Sequence, residues 1–77
     1  MDLGTRINEL RCERNLRQQD LAELAGISQE AVSQIVRGRV NPTLPTLFIM
    51  ASAMGLTITE LFDGVTGAAG YEGDDDG

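Results

Sequence analysis

Seventy-seven residues are enough for one small domain and too few for two. The 42% hydrophobic content is ordinary, but Phe48, Phe62 and Tyr71 are the only aromatics, so the core must come from Leu, Ile, Val, Ala and Met. A net charge of −6, no histidine and a single cysteine exclude an intramolecular disulfide, a histidine-based catalytic centre and a Cys/His zinc site.

Leu3, Ile7 and Leu10 recur at helical spacing and predict a first helix over about 3–14. Cys12 projects from its opposite side and is expected to be an ordinary exposed thiol. Arg6, Glu9 and Arg11 interrupt the run that a signal peptide would need, and no apolar stretch approaches the roughly 20 residues that cross a bilayer. No membrane association is expected, and the expected location is cytoplasmic. A short second helix follows, about 18–25, with Leu21, Leu24 and Ala25 facing inward and Gly26 as a left-handed stop. Ser28 is a good N-cap for a third helix, about 29–37, in which Ala31, Val32 and Ile35 share one arc. Arg39 to Pro42 form a loop. Thr43 caps a fourth helix, about 44–54, whose stripe is Leu47, Met50, Ala51 and Met54, and Pro45 is tolerated in its first turn. Thr57–Ile58–Thr59–Glu60 reads as a capping box opening a short fifth helix through Leu61 and Phe62.

After Asp63 the composition shifts. Glycines punctuate a stretch with few large apolar groups, which cannot bury enough surface to offset chain entropy. The expected organisation is a folded domain over 1–65 and a disordered acidic tail over 66–77. Asp74–Asp75–Asp76 lack the further ligands of a calcium site, so neither metal nor cofactor is expected. The tail is expected to act as a solvated segment or a weak phosphate mimic. It also explains most of the acidity: residues 63–77 carry five acids and no base, whereas residues 1–62 carry seven acids against all six arginines. Local placement therefore matters more than the total, and Arg17, Arg37 and Arg39 form a candidate basic patch.

The informative stretch is QQDLAELAGISQEAVSQIVR, residues 18–37. Small Ala22 lets two helices approach, Gly26 supplies the turn, and Leu21, Ile27, Val32 and Ile35 pin the pair to a core. The second helix of the pair then presents Gln29, Glu30, Ser33, Gln34 and Arg37 outward, a polar face that could enter a major groove.

With RINELR at 6–11, LRQQDLAELAGIS at 16–28, NPTLPTL at 41–47 and GLTITELF at 55–62, the chain resembles the lambda-type repressor and Cro helix-turn-helix family, also called XRE. The resemblance covers roughly residues 3–62. It implies an all-α, five-helix lambda-repressor-like domain, a sequence-specific transcriptional regulator, and a homodimer on double-stranded DNA with a two-fold operator. A phage-type repressor, a stand-alone regulator and an antitoxin with a toxin partner all remain open. By position, Gln18 resembles a glutamine that bonds a phosphate and braces the recognition helix. Gln29 resembles a reader of an adenine edge, and its carboxamide can bond adenine N6 and N7 together. Ser33 and Gln34 occupy further base-facing positions. Arg17, Ser28, Arg37, Arg39 and Asn41 are expected at phosphates, where contacts position a protein without choosing sequence. Glu30 is ambiguous, since it can accept from cytosine N4 yet repels phosphate. Leu61, Phe62 and Val65 are expected at a dimer interface or, for the first two, in the monomer core.

Two departures from the family stand out. Arg11 often pairs with an acid at position 36, which here is Val36, leaving solvent, another acid or DNA as its partner. Arg17 replaces the usual hydroxyl or amide cap of the second helix. A second function class is a protein-interaction module on the same fold, antitoxin- or adaptor-like, which the overall acidity favours. An enzyme is not expected: there is no nucleophile–base constellation and no glycine-rich phosphate loop.

Overall fold

The computed structural model describes residues 1–66 as five helices: α1 (Leu3–Glu13), α2 (Gln18–Ala25), α3 (Gln29–Val36), α4 (Leu44–Ala53) and α5 (Ile58–Phe62). The acidic segment beyond Thr66, with the carboxylates of Asp74, Asp75 and Asp76, lies outside the described residues. Each helix start has a chemical cause. The carboxylate of Asp2 accepts from Thr5 N at 2.8 Å, Ser28 Oγ from Ala31 N at 3.0 Å, and Thr43 Oγ1 from Thr46 N at 3.4 Å. Thr57 and Glu60 form the expected reciprocal box, with Glu60 N donating to Thr57 Oγ1 and Thr57 N to Glu60 Oε1. These bonds satisfy amides that a helix N-terminus leaves without partners.

Arg17 cannot cap α2 in this way, because a guanidinium has no acceptor. Asp20 supplies half of a box instead: its Oδ2 accepts from Arg17 N at 2.9 Å. The same carboxylate holds the Arg17 side chain, with Nε on Oδ2 at 3.0 Å and Nη2 on Oδ1 at 2.9 Å. Gly26 ends α2 at φ 73°, a left-handed conformation that suits a residue without Cβ, and Ile27 N returns to Ala22 O at 3.0 Å.

The core gathers residues from every helix. Ile7, Leu21, Val32, Met50 and Leu61 are fully buried, and Leu10, Ala22, Ile35, Leu47, Ala51 and Met54 pack around them. Truncating any of the larger ones to Ala costs on the order of 2–5 kcal/mol. One expected core residue is elsewhere: Leu24 is 60% exposed. The inward arc of α2 is centred between Leu21, Ala22 and Ala25, and at about 100° per residue Leu24 falls well to its side. Thr66, placed in the tail by composition, donates its N–H to Met1 O at 2.9 Å, while the chain's α-amino group donates to Thr66 Oγ1 at 3.1 Å. The folded unit thus reaches at least one residue past the expected boundary.

Three arginines staple the helices together. Arg6 donates to Leu61 O and Glu60 O at 3.3 and 2.9 Å, tying α1 to the end of α5. Arg14 donates to Met54 O at 2.8 Å and Leu10 O at 3.1 Å, joining the ends of α4 and α1. Arg11 donates to Leu16 O and Asn8 Oδ1, both at 2.6 Å. Without a carboxylate at position 36, the guanidinium turns to the carbonyl that leads into α2 and to Asn8, not to an acid among the described residues. The Arg6 and Arg14 contacts fill carbonyls that helix C-termini leave open and place positive charge against the helix dipole. They also account for arginine in place of lysine, since a forked group serves two acceptors that one ammonium could not reach in the same geometry.

Candidate nucleic-acid interface

Helices α2 and α3 form the two-helix unit, and the packing of α3 decides which of its side chains are available. Val32 and Ile35 are buried and Ala31 is half-buried, which fixes the inward side. At about 100° per residue, Glu30 and Arg37 then lie at the centre of the outward side, with Ser33, Gln29 and Gln34 flanking them. Gln29, Glu30 and Arg37 are exposed, while Ser33 and Gln34 are half-buried. The polar face expected from sequence is therefore brought together on one helix.

Gln34 is not free, because its Nε2 donates to Glu30 Oε2 at 2.7 Å. Ser28 Oγ is committed as an acceptor to Ala31 N, which leaves its hydroxyl hydrogen available for a phosphate. Gln18 opens α2 and is half-buried. Arg39 and Asn41 are exposed in the connection from α3 to α4. The Arg39 backbone N–H closes the end of α3 on Gln34 O at 2.9 Å, which fixes where its side chain begins.

The candidate phosphate ligands differ in charge state. Among the described residues, no carboxylate lies within salt-bridge distance of Arg37 or Arg39. Arg17 is paired with Asp20, and hydrogen bonds from the Arg17 side chain and backbone hold the Asp20 carboxyl down at about 2. Arg17 therefore enters any interface already neutralised.

Of the expected dimer residues, Leu61 is fully buried in the core of its own chain and has no surface to offer a partner. Phe62 is 37% exposed and Val65 half-buried. Two features were missed by sequence reasoning. Glu30 has a partner four residues on, a spacing visible in the sequence. Gly4 is buried where α1 meets the end of α3, and nothing in the local sequence signals that contact.

Residues 7–61 match the helix-turn-helix family HTH_3. The chain belongs to this family. This helix-turn-helix chain is 48% identical over 65 residues to the HTH-type transcriptional regulator DdrOP3 of Deinococcus deserti, covering 84% of the chain and 50% of DdrOP3, so it spans about half the length of that relative. Its fold matches the restriction-modification controller protein C.AhdI from Aeromonas hydrophila with a TM-score of 0.76 and 35% identity, covering 78% of this chain and 91% of the other. It also matches the P22 c2 repressor in complex with a synthetic operator, with a TM-score of 0.73 and 28% identity, covering 79% of this chain and 92% of the repressor. The all-helical, lambda-repressor-like architecture is thus shared with solved helix-turn-helix proteins. Among the described residues no helix is long and apolar enough to cross a membrane.

Proposed function

We propose that this chain is a sequence-specific DNA-binding transcriptional regulator that inserts α3 into the major groove. The observation that carries the reading is the outward face of α3, where Gln29, Ser33 and Gln34 stand opposite the buried Val32 and Ile35, with Arg37 and Arg39 at the helix end. Base-reading groups sit along the helix and phosphate-binding cations flank it. Gln29, at the front of α3, reads a base edge. Arg37, Arg39, Asn41, Gln18 and the Ser28 hydroxyl contact the backbone, and Arg17 joins them as a neutralised pair with Asp20. The likeness to an operator-bound repressor supports this placement.

The finer reading is a cytoplasmic homodimer on a two-fold site, joined near the end of α5 through Phe62 and Val65, with Leu61 supporting the surface from within. A protein-interaction module is the competing reading, favoured by the net charge of −6 and by the exposed Leu44, Phe48 and Ile49 on α4.

The experiment pairs two substitutions on residues outside the core. Gln29→Ala is expected to cost about 1–3 kcal/mol on the selected site and to relax preference at one base pair per half-site. Arg37→Ala is expected to weaken all sequences alike and to reduce the salt slope by about one per lost contact. Equal loss on specific and random DNA for Gln29→Ala would show the reading face to be misassigned. No effect from either, with a protein partner still bound, would favour the interaction module.

A further inference from the structure

Glu30 is the acidic residue at the centre of a face otherwise suited to DNA, and the reading proposed above gives it no role. Its contact with Gln34 changes what both side chains can recognise. A carboxylate only accepts, so the Gln34 group that meets Glu30 Oε2 at 2.7 Å must be the amide nitrogen. That fixes which way the Gln34 amide points, a choice that would otherwise be ambiguous. What remains free is the Oε1 oxygen of each residue and one amide N–H. The pair is thus dominated by acceptors.

We propose that the Glu30–Gln34 pair is a specificity element that selects an exocyclic amino group, cytosine N4 or adenine N6, at the base it meets. Guanine and thymine present only acceptors, with the thymine methyl, at the corresponding major-groove positions. Set against the Glu30 carboxylate, those oxygens meet like partial charge and leave its free Oε1 oxygen desolvated without a donor, which is the costly arrangement. An amino base supplies the missing hydrogen. The i,i+4 bond also holds both side chains in one arrangement before DNA arrives, so less rotamer freedom is lost on binding. Glu30 therefore acts as a filter: it disfavours DNA in general through phosphate repulsion, and an amino base offsets that cost at the right sequence.

This proposal rests on α3 reading the major groove, and the test separates the two. Sites are selected from random duplex DNA by the wild-type protein, by Glu30→Gln, and by Glu23→Gln, which removes the same charge from an exposed position on α2. Wild type is expected to select, at one base pair per half-site, the orientation that places cytosine or adenine on the strand facing the pair, with guanine and thymine disfavoured on that strand. Glu30→Gln is expected to lower discrimination there by about tenfold while the remaining positions keep their preference. Glu23→Gln is expected to leave base preference unchanged. If Glu30→Gln selects the same base as strongly as wild type, or Glu23→Gln relaxes it equally, the filter is overturned while DNA reading by α3 stands. If the wild-type protein enriches no sequence, the reading by α3 fails and the filter with it.

Discussion

Gly4 is the residue through which the position of α3 can be tested without touching its DNA face. It lies in the first turn of α1 and is buried against the end of α3. A Cβ added there would come within 2.7 Å of Val36 O and 2.8 Å of Ile35 O, with Val36 C at 3.1 Å. All three atoms are backbone, so no side-chain rotation relieves the clash, and α1 and α3 must separate by roughly 0.7 Å to reach ordinary contact. Overpacking of this kind costs about 1–3 kcal/mol. Alanine recovers about 0.5–1 kcal/mol of helix propensity over glycine. At the midpoints of these ranges Gly4→Ala should therefore lose about 1 kcal/mol net, and at most about 2.5, which for a domain of this size lowers the melting temperature by roughly 4–20 °C. Circular dichroism melts give the value, with Thr5→Ala, exposed one position on, as a control expected to lie within about 0.5 kcal/mol of wild type on packing grounds. A Gly4→Ala protein as stable as wild type would refute the close approach of α1 to α3.

Arg14→Met keeps much of the stem but removes the bonds to Met54 O and Leu10 O; urea unfolding should show a loss of about 1–3 kcal/mol, with Arg14→Lys recovering only part of it. Asp20 titrates at about 2 in the folded chain against an ordinary 3.8, so the stability it contributes is present above the ordinary value and drains away as pH falls toward 2. Asp20→Asn should flatten that acid limb in melts between pH 5 and about 2, and an unchanged limb would remove Asp20 as its source. The same substitution releases the Arg17 guanidinium, so DNA affinity should rise at low salt and the salt slope steepen by about one per protomer; an unaltered slope would place Arg17 away from phosphate.

The helices were legible because their signals are local. Ser28, Thr43 and the Thr57–Glu60 box announce their helix starts, and Gly26 announces its turn, each through bonds spanning only a few residues. Part of what was not legible depends on contacts distant in sequence. Arg6 meets carbonyls 54 and 55 residues away, and Arg14 one that is 40 away, so no window of sequence marks them as staples rather than surface charge. Gly4 reads locally as a weak helix former, and its reason lies on α3. Leu24 looked inward because an eight-residue helix carries too few apolar positions to fix the centre of its arc. At the interface, the composition of the polar face was legible, but not which groups were already engaged: Gln34 with Glu30, and Arg17 with Asp20.

These engagements change how the acidity of the chain bears on DNA. Six arginines suggest a basic surface, yet Arg6, Arg11 and Arg14 are turned to carbonyls and Arg17 is paired. Among the described residues, Arg37 and Arg39 are then the cations left for phosphate near α3, and each neutralised phosphate would contribute a salt slope of about 0.9. On the proposed reading, two such contacts per protomer would give a dimer only a modest counterion-release term, so weak affinity for arbitrary DNA is expected. On the same reading, specific binding would draw on hydrogen bonds that only the right sequence completes: Gln29 at a base edge and an amino group at the proposed Glu30–Gln34 filter. Discrimination is a ratio of specific to non-specific affinity, and lowering the denominator raises it as effectively as raising the numerator. If α3 reads the groove as proposed, a chain that keeps few unpaired cations among its described residues and places a carboxylate on the reading face is expected to bind little DNA, and to bind it selectively.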